Sequence, residues 1–296
     1  MLEVSSEYVG RQCTPMDLEV TPRMIMNYAA STDDPNPWYF DDERPDGIVA
    51  PPMLGVALTW QISARFDQYW NSQDFPYDAL AQQVHYSELF DWRRALVPGD
   101  KLRITGEIKA IVPHRAGTHL IIEYTARDAK GEVVFVEHIG GMLRGVKCTD
   151  NGAGKEYAGD LNRFKTDGDE PLWEQEIAIH PLAAHRYDGC ADIHFPIHTS
   201  KAFAHGVGLP DIILHGTCTL SMALRDITDR EAGGDPRRVR GVRCNFTGMV
   251  MLGTTIKVTV IGKQERDGLT DIHFFVYDHL GKKAIRNACV TIAATA

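Results

Sequence analysis

The sequence predicts an α+β chain made of two tandem copies of one unit, each an antiparallel sheet wrapped around a long central helix. Three observations predict it. The 296 residues are enough for two domains of ordinary size. Three blocks of residues recur in the same order about half a chain apart. Within each half an apolar helical segment precedes a run of alternating strands.

Composition sets the frame. Hydrophobic residues at 44% and charged residues at 24% are the values of a folded globular chain. The net charge of -9 comes from acids spread along the whole length. No basic run offers a footprint for a phosphate backbone, so nucleic acid is not an expected partner. The segment from Met1 to Val20 has neither the basic nor the apolar region of a secretory leader. No stretch reaches the roughly 18 apolar residues of a membrane span. A cytoplasmic protein without a membrane partner is expected. The six cysteines, Cys13, Cys148, Cys190, Cys218, Cys244 and Cys289, lie far apart with no C-x-x-C pair. That spacing predicts reduced, mostly packing thiols, with neither a disulfide framework nor a zinc knuckle.

The first repeated block pairs Tyr28-Ala-Ala-Ser-Thr-Asp-Asp-Pro-Asn-Pro-Trp-Tyr39 with Tyr187-Asp-Gly-Cys-Ala-Asp-Ile-His-Phe-Pro-Ile-His198. Each leads into an apolar helical segment, starting at Ile48 in one half and Ile213 in the other. In the second half the helix runs from 216 to about 229, where Leu220, Ala223, Leu224 and Ile227 have the i, i+3, i+4, i+7 spacing of a buried stripe. The second block pairs the strand starts at Val97 and Met251, where Gly99 and Gly253 turn the chain into an alternating strand. The third pairs hairpins that turn at Gly131 and Gly281 and continue as strands over 132–143 and 282–293. Matched positions lie 150 to 165 residues apart, about half the chain, and duplication explains three ordered blocks better than chance does. A sheet wrapped around one central helix is the hot-dog fold. The stretch 148–170 is rich in Gly, Asp and Lys and poor in apolar residues, as a linker should be. The expected organisation is a first hot-dog over 1–150, a linker over 151–170 and a second hot-dog over 171–296.

On these residues the chain resembles the MaoC-like dehydratases and R-specific enoyl-CoA hydratases. Their signature is a tyrosine-led segment with D-x-N-P-x-H, followed by H-G at the start of the hot-dog helix. The resemblance covers nearly the whole chain as two copies, similar in layout to the fused two-hot-dog hydratases, and each copy departs from it differently. The first, Asp34-Pro-Asn-Pro-Trp-Tyr39, has Tyr39 where the family has histidine and Pro51-Pro52 in place of H-G. Pro52 has no N–H for an oxyanion, so this half is expected to be chemically silent and to shape the acyl pocket. The second copy keeps His198 and keeps His215-Gly216. Its Asp192 lies six residues before His198 where the family spacing is five. With a one-residue insertion, Asp192 is the family's aspartate. Without a gap that position falls on Ile193, and another acid or His194 must serve.

The resemblance implies an enzyme that adds water to a 2-enoyl-CoA, giving a 3-hydroxyacyl-CoA, or removes it. Such chemistry needs a base for water at Cβ, an acid at Cα and a holder for charge on the thioester oxygen. By resemblance Asp192 and His198 share the catalytic water. The backbone N–H of Gly216, at the positive end of the helix dipole, forms the oxyanion hole, and His215 orients the loop. Arg240 and Arg243, from the cluster Arg237-Arg238-Val239-Arg240-Gly-Val-Arg243, are the candidates for the CoA phosphates, although such a cluster is more often a solvated surface. No cofactor is implied. The spacing of His194, His198, His205 and His215 fits no familiar zinc pattern, so no metal is expected. His85, His114, His119, His138, His273 and His279 receive no role, and His194 and His205 stay open. Two other readings compete: a hot-dog acyl-CoA thioesterase, and a non-catalytic acyl-CoA-binding or partner subunit. A homodimer or higher assembly is compatible with either.

Overall fold

The computed structural model describes residues 2–70, 74–158, 164 and 170–294. The two glycine hairpins form with the same chemistry in both halves. Asp128 Oδ1 accepts from the N–H groups of Lys130 and Glu132, and Asp278 Oδ1 accepts from those of Leu280 and Lys282. Each turn closes through a glycine in the left-handed region, Gly131 at φ 83° and Gly281 at φ 72°, where a Cβ would be strained.

The first half contains β1 (Glu3–Val4), β2 (Met16–Glu19), α1 (Pro22–Ser31), α2 (Pro37–Phe40), α3 (Leu54–Ser63) and α4 (Phe66–Tyr69). It continues with β3 (Gln83–Trp92), β4 (Lys101–His114), β5 (Gly117–Arg127), β6 (Val133–Arg144) and β7 (Lys147–Cys148). The second half contains β8 (Trp173–Ala178), α5 (Ala183–Ala191), α6 (Lys201–Gly206) and α7 (Gly216–Glu231). It ends with β9 (Val239–Phe246), β10 (Thr255–Arg266), β11 (Leu269–Tyr277) and β12 (Lys283–Ala293). β1 and β7 pair by themselves, in parallel.

The other ten strands form one antiparallel sheet in the order β2-β4-β5-β6-β3-β9-β12-β11-β10-β8. The two five-stranded halves have the same order and meet edge to edge at β3 and β9, with Leu89 opposite Arg243. Each half therefore closes an edge strand of the other, which removes an exposed ladder of unpaired backbone groups from each.

The sheet wraps α7 and α3. On α7 the expected stripe is buried, with Leu220, Ala223 and Ile227 at zero exposure. α3 is mostly apolar, with Leu54 to Thr59 and Ile62 buried and Trp60, Gln61 and Ser63 partly exposed. It has 10 residues against 16 in α7, so the first half departs from the long central helix expected of it. The chain leaves helical geometry at Arg65, whose side chain turns back onto Gln61, and restarts as α4.

Helices α1 and α5 pack on each other where the halves meet. Tyr28 and Tyr187, 159 residues apart, are fully buried with their hydroxyls 3.0 Å from each other. Tyr28 also bonds Ser221 and Tyr187 donates to Thr217, so the phenols satisfy their polar ends on α7. Of the expected linker, 159–163 and 165–169 lie outside the described residues. Its first part packs on β4: Ala153 exchanges backbone hydrogen bonds with Ile111, and Gly154 passes so near Lys109 that a Cβ would sit 1.9 Å from its carbonyl oxygen. Among the described residues no helix is long and apolar enough to cross a membrane.

Candidate active site

The site is built at the start of α7. His215 caps the helix and Gly216 is its first residue, so the Gly216 N–H belongs to the first turn, whose donors have no partner inside the helix. A Cβ on Gly216 would stand 2.9 Å from the ring of Phe246, which explains the glycine. His215 is buried and donates Nε2–H to the carbonyl of Ile193 at 3.0 Å, tying the tyrosine-led segment to the helix. The His198 ring stacks on it with centroids 3.7 Å apart.

His198 donates Nδ1–H to the carbonyl of Ile213 at 2.8 Å. A carbonyl can only accept, so the tautomer is fixed and Nε2 carries the lone pair. Burial lowers the His198 pKa to about 4. Burial, and then the neighbouring His198, hold His215 well below the usual imidazole range. Both rings are neutral at neutral pH, as a proton-accepting site requires.

Asp192 is not brought to His198. It caps α5 in the left-handed region at φ 55°, its side chain 73% exposed, and bonds Gln61 Nε2 at 2.8 Å. The nearest imidazole nitrogen to it is His194 Nδ1, at 3.8 Å. Its counterpart is Asp33, at φ 52° after α1 and separated from it by the same 159 residues as the two tyrosines. The contacts match too: Gln61 of α3 binds the Asp192 carbonyl as Arg225 of α7 binds that of Asp33. The two copies thus align without a gap, and Ile193 stands opposite Asp34, at the position of the family's aspartate. The pairing of Asp192 with His198 expected from an insertion is corrected by this register and by the Asp192 side chain itself, which is exposed and held by Gln61.

His198, His215, Gly216 and Ile193 share the wall of a cavity of about 1740 Å³. Its other wall comes from the first half: Val56 and Trp60 of α3, the start of β3, the middle of β5 and the end of β6. The arginines on its lining are Arg115, Arg144 and Arg286. Arg240 and Arg243 are not there. Arg240 bonds the carbonyl of Arg237, and Arg243 lies 3.7 Å from Asp271 on the sheet. The sequence cluster points elsewhere, while the cavity's arginines come singly, Arg115 from the β4–β5 turn, Arg144 from β6 and Arg286 from β12, and carry no local signal.

The corresponding place in the first half is nearly filled. Backbone bonds from Ala50 to Leu96 and from Leu214 to Val250 set Pro51-Pro52 against His215-Gly216. Tyr39 occupies the position of His198, and Tyr28, Asp34, Pro51, Pro52 and Arg225 are among the residues around a void of about 10 Å³, space for one water at most. Burial raises the Asp34 pKa to about 6. Among the described residues the one group arranged to hold a metal ion is Asp271, His273 and Cys289, away from this cavity, and its carboxylate already bonds Thr291 and Arg266.

Comparison with known proteins agrees with this architecture. Residues 163–280 match the MaoC-like domain, and residues 7–137 match the dehydratase domain region of FAS1-like proteins. An enoyl-CoA hydratase of Mycobacterium tuberculosis is 26% identical over 85% of this chain and 87% of its own. A MaoC-like dehydratase from Phytophthora capsici superposes with a TM-score of 0.81 at 20% identity, covering 97% of each chain. A M. tuberculosis protein described as a double hot-dog superposes at 0.62 and 13% identity, over 97% of this chain and 96% of its own. Two hot-dogs joined in one sheet, with a MaoC-like domain over residues 163–280 and a FAS1-like dehydratase region over 7–137, are what this chain shares with those proteins.

Proposed function

We propose that this chain catalyses the reversible addition of water to a 2-enoyl-CoA, with the chemistry in the second hot-dog, the division between the units at 151–170 and the first hot-dog making room for the acyl group. The observation that carries this reading is one cavity wall that presents a neutral imidazole with a free Nε2 beside a helix-start N–H. The enoyl-CoA hydratase of M. tuberculosis named above supports the reaction class.

The thioester oxygen accepts from Gly216 N–H, where the helix dipole favours the developing negative charge. His198 Nε2 takes a proton from water as its oxygen attacks Cβ, and returns a proton to Cα as the enolate collapses. His215 holds the segment in place through Ile193. Arg115, Arg144 and Arg286 replace Arg240 and Arg243 as the groups for the CoA phosphates. A cavity of about 1740 Å³ exceeds the roughly 300–1,000 Å³ of ordinary ligand pockets, which suits long, branched or ring-bearing acyl groups.

The test is spectrophotometric: a panel of 2-enoyl-CoAs is offered and the loss of conjugated absorbance followed. Thiol release in the same samples would favour a thioesterase, which the first turns of α7 argue against because Gly216 to Ser221 contain no carboxylate. Tight binding without turnover across the panel would favour the non-catalytic reading.

A further inference from the structure

The seam between the two hot-dogs holds a polar cluster outside the chemistry assigned so far. Glu88 on β3 and Glu137 on β6 are completely buried, at 1% and 0% exposure. Their burial raises both carboxyl pKa values well above the usual range. Carboxyl groups in a core are costly, and Glu88 lies beside one member of the cavity wall. That member is His85, set on β3 by a bulge between His85 and Ser87.

His85 Nε2 lies 3.1 Å from the carbonyl oxygen of Ser87 and 3.0 Å from Glu88 Oε2. The carbonyl can only accept, so Nε2 carries the hydrogen and Nδ1 the lone pair. His85 lines the same cavity as His198 and Gly216. Its ring packs on Phe246 with centroids 4.6 Å apart, and Phe246 is the ring 2.9 Å from where a Cβ of Gly216 would stand. One aromatic ring separates His85 from the helix start.

The second half has Ile193 where its relatives' segment has a carboxylate, so the water is short of one acceptor. We propose that His85, from the otherwise silent half, supplies it: Nδ1 holds one hydrogen of the attacking water while His198 Nε2 takes the other. This rests on the hydratase reading above. The oxygen–Cβ bond forms as one O–H bond breaks toward His198, and that proton passes to Cα. The hydrogen held by His85 stays on the new hydroxyl, so both imidazoles end as they began. Glu88 is a positioning residue that acts through His85 Nε2.

The experiment uses the full-length protein and a 2-enoyl-CoA that it hydrates. His85→Phe keeps a ring on Phe246 and removes the acceptor; kcat should fall about 100-fold, with KM and affinity for a saturated acyl-CoA within about threefold. In His85→Ala, added imidazole should restore part of the rate. Glu88→Gln keeps the shape and should lower kcat about tenfold at unchanged KM. An active parent whose His85→Phe variant keeps more than half of kcat overturns this proposal and leaves the hydratase reading standing. Loss of rate in step with loss of acyl-CoA binding, with no rescue by imidazole, also overturns it. A parent inert toward every 2-enoyl-CoA overturns the hydratase reading itself.

Discussion

The two signature segments of this chain have lost complementary parts. The first keeps Asp34 and Asn36 but has Tyr39 for the histidine and proline for the helix-start glycine. The second keeps His198 and Gly216 but has Ile193 and Phe195 at the places of Asp34 and Asn36. The spaces around them differ as sharply, about 10 Å³ against about 1740 Å³. The difference teaches that a retained acid is no sign of a retained site. Asp34 survives as a structural group: its carboxylate accepts the N–H of Asn36, which in turn donates to the carbonyl of Gly234 in the other half. Room and a free lone pair are the grounds on which the proposed chemistry is assigned to the second half.

The comparison breaks most directly at His198. His198→Ala should slow hydration by about 10²- to 10⁴-fold, on the order of 3 to 5 kcal/mol of barrier. An unchanged rate would remove the second half from the chemistry. Tyr39→His, which restores the histidine to the first segment, should leave the rate of a His198→Ala protein at background, because the void there admits no substrate; recovered turnover would show that the first half lacks only a residue. Next in size is the oxyanion donor. Gly216→Ala pushes a methyl into Phe246 and should lower kcat by about 10- to 100-fold by displacing the thioester, with the overall fold kept in circular dichroism.

The pH dependence sharpens the contrast. In the proposed mechanism His198 acts as the neutral ring, and burial lowers its pKa to about 4. The free-enzyme profile of kcat/KM should therefore stay level as pH falls from 8 toward 5 and lose activity through about pH 4. An acid limb at the ordinary imidazole value would mean that the ring is solvated. Asp34 has the opposite sign. Its folded pKa, about 6, is above the ordinary carboxylate value of 3.8, so its contribution to stability is full below the lower value and lost as pH rises through the higher. Asp34→Asn should thus raise the unfolding free energy at pH 8 by at most about 2 to 3 kcal/mol, read as a higher melting temperature, and hardly change it at pH 4. Equal shifts at both pH values would show that ionisation is not the cause.

Much of this was legible along the chain, and for identifiable reasons. Hairpins at Gly131 and Gly281 depend on local turn chemistry, and the α7 stripe on helical periodicity, so both were readable from neighbours in sequence. His198 and Gly216 were found because each lies in a short segment with its own spacing. Asp192 was the weak point: by spacing alone a one-residue insertion and an ungapped match are equally permitted. The backbone decided, since Asp33 and Asp192 take the same left-handed turn. His85 had no local signal at all. Its neighbouring carboxyl is on its own strand, but the role proposed for it depends on a cavity shared with the other half and on Phe246, which comes from that half.

By itself, then, the sequence determined the duplicated α+β architecture, the half with the histidine and helix-start glycine, and the resemblance to the MaoC-like domain. These are properties of local periodicity, turn preference and motif spacing. Only the tertiary structure decided that one ten-stranded sheet joins the halves, that the cavity has walls from both, that its arginines are Arg115, Arg144 and Arg286, and that Asp192 faces outward. Those outcomes depend on which strand edges meet and which way single side chains turn. Such contacts join residues far apart in the chain, and no short segment records them.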